Sequence, residues 1–195
     1  MKSCHLNKKN WWLHFRSEID ELSKLLVPRR VLENSNKQFS LHCFCDASQR
    51  GYGACIYVVS PDVTGILRSH LLISKSRVAP LRGLTIPKLE LSAALLGSQL
   101  ADKVRKTTCF SSVITFWTDS SIVLHWIRTP PTVWKVFVSN RVAEIQRLTD
   151  PYSWKHVPIE MNSADSISRG ISPSQIIDDQ LWWHGPEFIV KPSEQ

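Results

Sequence analysis

The feature that most constrains the fold of this chain is a change in its hydrophobic period near residue 80. Before that point, apolar and polar residues alternate in three short runs, 39–46, 52–59 and 66–73, and this alternation predicts three β-strands. Tight turns join the runs, so the strands are expected to form an antiparallel meander. From Pro87 onward, the apolar residues follow helical spacing over four turns.

The rest of the chain alternates strands with helices. Two more strands are predicted, at 113–117 and 154–157. Helices are predicted at 87–104, 120–128, 134–148 and 162–168, the last of these being the final helix. The order β-β-β-α-β-α-α-β-α predicts an α/β domain in which helices pack on a five-stranded mixed sheet.

A further helix is predicted near the N-terminus and ends at Pro28. Its apolar residues recur at helical spacing: Trp12, Phe15, Ile19, Leu22 and Leu26. This helix is too small to form a domain alone, so it is expected to cap something larger.

No apolar stretch is long enough to span a bilayer, and the N-terminus lacks the apolar run of a signal peptide. Secretion and membrane insertion are therefore not expected.

The five cysteines are odd in number, and none forms the C-x-x-C pair that is typical of zinc sites. Cys43 and Cys45 are two residues apart on a predicted strand, which places both side chains on the same face. We interpret them as reduced thiols that pack within the sheet of a protein from a reducing compartment.

Basic residues are concentrated in the first part of the chain. Residues 1–110 carry 17 Lys and Arg against 8 Asp and Glu, whereas residues 111–195 carry 7 against 9. The basic part suggests a polyanionic partner, with nucleic acid as the first candidate. A solvated basic surface explains the same counts, so charge alone does not decide between the two.

Four acidic residues occupy comparable places in the predicted topology. Asp46 ends the first strand, Asp119 follows the fourth, Glu90 lies in the first turn of the long helix and Asp165 begins the last helix. If neighbouring strand ends bring them together, the carboxylates repel one another unless cations neutralise them, and such hard oxygen donors suit Mg²⁺ or Mn²⁺. Each residue taken alone is better explained as a turn, cap or helix-dipole residue. The four together are harder to explain in that way, because all of them occupy matching places in one topology.

Six short blocks carry a resemblance to a known family. They are FCDAS (44–48), SKSRVAP (74–80), IPKLEL (86–91), WTDS (117–120), NRVAEI (140–145) and ADSISRG (164–170). In order and spacing they resemble the ribonuclease H region of BEL/Pao retrotransposon polyproteins. The flanks resemble the segment that follows reverse transcriptase and the linker beyond ribonuclease H. On this resemblance the chain is a piece of a longer polyprotein, with a helical connection at 1–37, a ribonuclease H-like domain at 38–170 and a C-terminal linker segment at 171–195.

The resemblance implies a ribonuclease H-like fold and an endonuclease that cleaves the RNA strand of RNA–DNA hybrids with two Mg²⁺ or Mn²⁺ ions. Asp46 would bridge both ions, and Glu90, Asp119 and Asp165 would complete the metal shell. The implied partners are the hybrid and the reverse transcriptase and protease portions of the same polyprotein, in the cytoplasm and in virus-like particles, with no membrane. As an isolated fragment, the enzyme is expected to be weak.

Candidate contacts to nucleic acid lie in the polar stretch 75–88, beside Glu90. This stretch is expected to be a mobile connection, and its cations would bind backbone phosphates without reading sequence. They are Lys75, Arg77, Arg82 and Lys88.

One departure from the family concerns histidine. Ribonuclease H enzymes often carry a mobile His in a loop before the last Asp, but residues 159–164 contain none. His156 is nearby but lies in a predicted strand. No residue of this chain is therefore assigned the role of the mobile His.

Other functions fit the same residues less well. An aspartic protease needs Asp-Thr-Gly or Asp-Ser-Gly, which the chain lacks, and it also lacks a G-x-S-x-G elbow and a P-loop. An integrase or transposase core shares the fold but has its Glu in a late helix, whereas Glu90 lies in the first long one. A catalytically inactive or host-adopted module that binds nucleic acid or protein stays open.

Overall fold

The computed structural model describes residues 2–27, 32, 39–81, 83–107 and 113–191. Within these residues, the strands are β1 (Ser40–Ala47), β2 (Gly51–Pro61), β3 (Leu67–Val78), β4 (Ile114–Thr118) and β5 (Trp154–His156). The α-helices are α1 (Lys2–Glu18), α2 (Ile86–Thr107), α3 (Ser121–Arg128), α4 (Val136–Leu148), α5 (Asp165–Arg169), α6 (Pro173–Asp178) and α7 (Gln180–His184). Short 3-10 helices lie at Ile19–Lys24, Pro131–Val133, Pro151–Ser153, Ile159–Met161 and Glu187–Val190. In this part of the chain, no helix is both long enough and apolar enough to cross a membrane.

These strands form a mixed sheet in the order β3-β2-β1-β4-β5. β1, β2 and β3 pair antiparallel, while β4 runs parallel to β1 and β5 runs parallel to β4. Short turns suffice for the antiparallel pairs, whereas each parallel pair needs a helical crossover, which α2 and then α3 with α4 provide. The predicted five-stranded mixed sheet is therefore confirmed.

The third strand is longer than its apolar pattern indicated. Residues 75–78, expected to begin a mobile connection, continue β3 to Val78 and pair with the first residues of β2. This expectation was wrong because an exposed edge strand can be polar when its neighbour supplies a complete row of backbone partners. Lys75 and Arg77 consequently lie on a strand and not in a loop.

Helices α2, α3 and α4 cover one face of the sheet, as the apolar spacing predicted. α2 packs very closely on β1 at Gly97, where an added Cβ would overlap Cys45 Sγ and would lie 3.1 Å from Cys43 Sγ. Both thiols are buried, free and on the same face, as predicted. The close helix–sheet contact therefore requires a residue without a side chain at position 97.

The opposite face of the sheet is covered by the segment after α5. Trp182 and Ile189 pack there with Phe44 and Tyr57, and the Tyr57 hydroxyl donates a 2.7 Å hydrogen bond to the Trp182 carbonyl. The expectation that the helix at 162–168 is the final one is wrong, since α6 and α7 follow it. The physical reason is that β1 and β2 are apolar on both faces, so the second face needs a cover of its own.

At the N-terminus, α1 and the 3-10 helix Ile19–Lys24 form a helical segment. The 3-10 helix packs on α6, but Trp12 remains 53% exposed and Leu26 90% exposed. The apolar stripe predicted there is thus largely uncovered by the described residues. Pro28, the predicted end of the helix, lies outside those residues.

We predict that Gly97→Ala destabilises the fold. Overpacking a core typically costs ~1–3 kcal/mol, and the ~1 kcal/mol that Ala gains over Gly as a helix former only partly offsets it. Because the added Cβ would overlap Cys45 Sγ, the cost is expected in the upper part of that range, and the free energy of unfolding, measured with urea, should fall by ~1–2 kcal/mol. Gly83→Ala is the matched control, because a Cβ there would meet nothing within 4 Å. Equal stability of Gly97→Ala and the wild-type protein would contradict the close packing of α2 on β1.

Candidate active site

The parallel pairing of β1 with β4 places two carboxylates side by side. Cys45 is in register with Thr118, and the next residue in each strand direction is an aspartate, Asp46 in one case and Asp119 in the other. Asp46 is only 6% exposed, because it still belongs to β1. The two aspartates therefore lie at the same end of adjacent strands, as the sequence predicted.

The other two predicted carboxylates reach this end of the sheet from helices. Glu90 lies in the first turn of α2, and Asp165 is the first residue of α5. Electrostatic effects join them: the charge of Asp119 acts on Asp46 and on Glu90, and the charge of Asp165 acts on both Asp46 and Asp119. The structure thus brings all four residues into one cluster of interacting charges.

Burial of these charges changes their ionisation. The pKa of Asp46 is raised to about 6, mainly by burial. The hydrogen bond from Ser168 lowers this pKa, and the negative charge of Asp119 raises it further. Burial also raises the pKa values of Glu90 and Asp119, and hydrogen bonds from Ser120 and Asn162, respectively, act in the opposite direction. The negative charges of the cluster are therefore not fully neutralised by the protein, and carboxylates in this condition attract cations.

Ser168 is the main contact of Asp46, and sequence reasoning did not find this role. Its hydroxyl donates a short hydrogen bond to Asp46 Oδ2, and the residue is 2% exposed. Its carbonyl oxygen accepts a 2.5 Å hydrogen bond from the hydroxyl of Ser48, in the turn between β1 and β2. A polar residue on the buried side of a five-residue helix is the sequence signal that could have indicated it.

Asn162 is a second positioning residue that the sequence did not indicate. Its side-chain amide donates a 3.1 Å hydrogen bond to the Cys45 carbonyl and also bonds to the carboxylate of Asp119. Its Oδ1 accepts a 3.2 Å hydrogen bond from the backbone of Ala164, just before α5. This buried side chain therefore connects β1, Asp119 and the start of α5.

Glycines in β2 allow α5 to approach the sheet. A Cβ at Gly53, the partner of Asp46 in the antiparallel ladder, would overlap the side chain of Ile167 and lie 2.8 Å from the Lys75 carbonyl oxygen. A residue without a side chain at position 53 therefore lets α5 bring Ser168 to Asp46.

The predicted nucleic-acid contacts are only partly brought near the cluster. Lys88 lies in the first turn of α2, two residues before Glu90. Lys75 and Arg77 are exposed on β3, on either side of Ser76. Ser76 pairs with Gly53 on β2, and Gly53 pairs with Asp46 on β1. Arg82 lies outside the described residues.

His156 lies beside the carboxylates as the last residue of β5. Its Nε2 is 3.2 Å from the Asp119 carbonyl oxygen, and the side chain is exposed. The strand position predicted for His156 is thus confirmed, and the ring lies at the edge of the cluster.

The donor chemistry of the cluster fits a hard divalent cation, because four carboxylates supply oxygen atoms and negative charge. Among the described residues, however, no group of three or more His, Cys, Asp or Glu is already close enough to hold a metal ion. Asp46 is bonded to Ser168, and Asp165 Oδ1 accepts a 2.5 Å hydrogen bond from Arg169 Nε. These contacts hold two of the four carboxylates toward α5.

A family comparison agrees with the sequence motifs. Residues 2–120 match the model of a family described as "Pao retrotransposon-like RNaseH-like domain". The match covers more than half of the 195 residues and includes Asp46, Glu90 and Asp119. The resemblance stated from the sequence blocks is therefore confirmed. Among curated proteins, no relative matches this chain.

Several solved structures are similar to this chain. The N-terminal RNase H domain of rv2228c from Mycobacterium tuberculosis is 16% identical, with 68% of this chain and 92% of that chain covered and a TM-score of 0.42. LC11-RNase H1 in complex with RNA/DNA hybrid is 16% identical, with 71% and 99% covered and a TM-score of 0.44. The protease-reverse transcriptase of prototype foamy virus is 14% identical, with 74% and 20% covered and a TM-score of 0.40. Similarities of this size assign no residue roles in this chain.

We predict that Asp46→Asn stabilises the metal-free protein at neutral pH. The folded-state pKa of about 6 lies above the ordinary value of 3.8, so the contribution of Asp46 to stability is complete below pH 4 and is lost as the pH rises through about 6. The amide has no charge to desolvate and still accepts the Ser168 hydrogen bond, so the variant should be more stable at pH 7 by ~1–3 kcal/mol.

Urea unfolding between pH 4 and pH 7 in the presence of a chelator measures this difference. Asp102→Asn is the matched control, because Asp102 lies at the far end of α2 and pairs with Lys106. A wild-type protein that is more stable than Asp46→Asn at pH 7 would contradict the conclusion that the buried charge of Asp46 destabilises the fold.

We also predict that Asn162→Ala destabilises the protein by ~1–3 kcal/mol, because it leaves the buried Cys45 carbonyl without its donor. Asn140→Ala is the control, since Asn140 is exposed on α4. The comparison is made by urea unfolding at pH 7, and equal effects of the two substitutions would argue against a positioning role for Asn162.

Proposed function

The chain belongs to the Pao retrotransposon-like RNaseH-like domain family, and from this premise we propose that it is an endonuclease that hydrolyses the RNA strand of RNA–DNA hybrids. The observation that carries the proposal is the cluster of Asp46, Glu90, Asp119 and Asp165 at one end of the sheet. Buried carboxylates that repel one another are costly to a fold, so a cluster of this kind is better explained by cation binding than by stability.

In this proposal Asp46, Glu90, Asp119 and Asp165 would hold two Mg²⁺ or Mn²⁺ ions through their carboxylate oxygens. When bound, such ions activate a water molecule and stabilise the leaving oxygen of the phosphodiester. Ser168 orients Asp46 through its hydroxyl, and Asn162 keeps Asp119 at the end of β4. Asp165 would exchange its contact with Arg169 for the cation, and Arg169, which is exposed, would then be free to face phosphate.

Binding of the hybrid would use cations at the same end of the sheet. We propose Lys88, Lys75 and Arg77 for contacts to backbone phosphates, which position a duplex without reading its sequence. Lys75 and Arg77 flank Ser76, the residue of β3 that is level with Asp46, and their side chains lie on the opposite face of the sheet from Asp46. The proposal for these two residues therefore rests on their charge, their exposure and their place at this end of the sheet. The role of Arg82 is proposed from its sequence position alone.

We further propose that this domain acts within a retrotransposon polyprotein, in the cytoplasm, beside reverse transcriptase and protease portions. Residues 38–170 would be the catalytic unit. They would lie between a connection at 1–37 and a linker at 171–195. The apolar stripe at residues 12–26, which the described residues leave largely uncovered, supports a neighbour on the N-terminal side. The packing of Trp182 on the sheet indicates that a catalytic unit prepared for study should extend beyond residue 170.

The test is cleavage of a hybrid whose RNA strand and DNA strand carry different labels. With Mg²⁺ or Mn²⁺, the full chain should shorten the RNA strand alone, and a chelator should stop the reaction. Asp46→Asn should lower the rate at least ~100-fold, because it removes the charge of the most buried of the proposed metal ligands.

Asp102→Asn serves as the control and should cleave at the wild-type rate, since Asp102 lies far from the cluster. Cleavage that is equal in Asp46→Asn would contradict the assigned site. A folded wild-type chain that binds hybrid and never cleaves it would favour the inactive binding module.

A further inference from the structure

The turn between β1 and β2 contacts the C-terminal end of α5, and the proposed mechanism does not use this contact. Ser48 lies in that turn, two residues after Asp46, and its hydroxyl donates a 2.5 Å hydrogen bond to the Ser168 carbonyl. Arg50 Nη1 donates a 3.3 Å hydrogen bond to the next carbonyl, that of Arg169. Two side chains of one turn therefore hold two successive carbonyls of α5.

α5 depends on such outside contacts because it is very short. It has five residues, Asp165–Arg169, and a helix of this length is not stable alone. It ends at Gly170, which has a φ of 83°. Among the described residues, no backbone N–H donates to the carbonyls of Ser168 and Arg169. The β1–β2 turn thus supplies the hydrogen bonds that the end of this helix lacks.

The turn is itself held in one conformation by its own hydrogen bonds. The backbone N–H of Ser48 donates a 2.8 Å bond to the Gly51 carbonyl. Ser48 Oγ accepts a 3.1 Å bond from the backbone N–H of Arg50. The Arg50 carbonyl accepts a 3.0 Å bond from the backbone N–H of Ala79, the residue after β3. A turn fixed in this way can hold α5 at a fixed place.

The contact joins two elements that carry different carboxylates of the cluster. Asp46 belongs to β1, and the chain enters the turn two residues later at Ser48. Asp165 begins α5, three residues before Ser168. The bond from Ser48 to Ser168 is therefore a direct link between the strand that carries one carboxylate and the helix that carries the other.

We propose that Ser48 and Arg50 are positioning residues that fix α5 against β1 and so set the place of Asp165 relative to Asp46. The proposal rests on the function proposed above, because it concerns the same carboxylate cluster. Carboxylates bind a cation tightly when the surrounding structure already holds them in place, so loosening α5 should weaken cation binding. Both side chains act through α5 and not by contact with the cation.

The first test uses the full chain in the presence of a chelator. Ser48→Ala removes the donor to the Ser168 carbonyl and changes none of the four carboxylates. The amides of Ile167 and Ser168, which donate to the Ala164 carbonyl, report the opening of α5. Measured by NMR, their exchange with deuterium should become roughly tenfold faster, as expected for the loss of one hydrogen bond, while the amides inside β1 keep the wild-type rate.

The second test measures Mn²⁺ binding to the folded protein without nucleic acid, by electron paramagnetic resonance. The Mn²⁺ dissociation constant of Ser48→Ala should be roughly tenfold higher than that of the wild-type chain. In hybrid cleavage, kcat should fall while KM stays unchanged, because the substrate loses no contact. Ser48→Thr keeps a hydroxyl at this position and should restore both the Mn²⁺ affinity and kcat.

Ser17→Ala is the matched control, because the Ser17 hydroxyl also donates to a backbone carbonyl but lies exposed on α1. It should leave the exchange of α5, the Mn²⁺ affinity and kcat at their wild-type values. A merely structural role of Ser48 would speed exchange in α5 and β1 alike and leave the Mn²⁺ affinity of the folded protein unchanged. An unchanged Mn²⁺ affinity, or unchanged exchange in α5, overturns the positioning role. If Ser48→Ala does not fold, Arg50→Ala replaces it, and the same results have the same meaning.

Failure of this inference and failure of the proposed function give different results. If the wild-type chain binds Mn²⁺ and cleaves hybrid, and Ser48→Ala does both equally well, only the positioning role is wrong. If the wild-type chain neither binds Mn²⁺ nor cleaves hybrid, the proposed function is wrong and the positioning role is overturned with it.

Discussion

The parallel pairing of β1 with β4 is the interaction on which the rest of this structure depends. It sets Cys45 opposite Thr118, and so it places Asp46 and Asp119 at adjacent strand ends. Everything else at this end of the sheet is arranged around that pair: α2 brings Glu90 to it, and α5 brings Asp165 and Ser168. Both helices can approach because glycines, Gly97 and Gly53, remove the side chains that would keep them away.

The same arrangement makes the site unfavourable for the fold alone. Burial raises the pKa values of three of the four carboxylates, and neighbouring negative charges raise them further. Hydrogen bonds from Ser168 and Asn162 offset part of this cost and fix the orientation of the carboxylates. Residues that lower stability for the sake of a charged site are what a functional site is expected to contain.

The sequence predicted the fold well because two signals agreed. Alternation predicted the meander and helical spacing predicted α2 and α4, while Asp residues after apolar strands indicated the candidate site. It did not indicate Ser168 or Asn162, because their roles depend on contacts across more than 100 residues of chain. It also mistook the end of β3 for a loop and did not find α6 and α7, because burial on the second face of a sheet is not visible in a local pattern.

The central claim is that the four carboxylates form a divalent cation site. Its most direct test is a Mn²⁺ titration of the isotope-labelled protein, with NMR detection of the backbone amides that paramagnetic Mn²⁺ broadens. Our account predicts that broadening at low Mn²⁺ concentration is centred on Asp46, Glu90, Asp119 and Asp165. Broadening centred elsewhere, for example on Asp178 and Asp179, or spread evenly over the acidic surface, would contradict it.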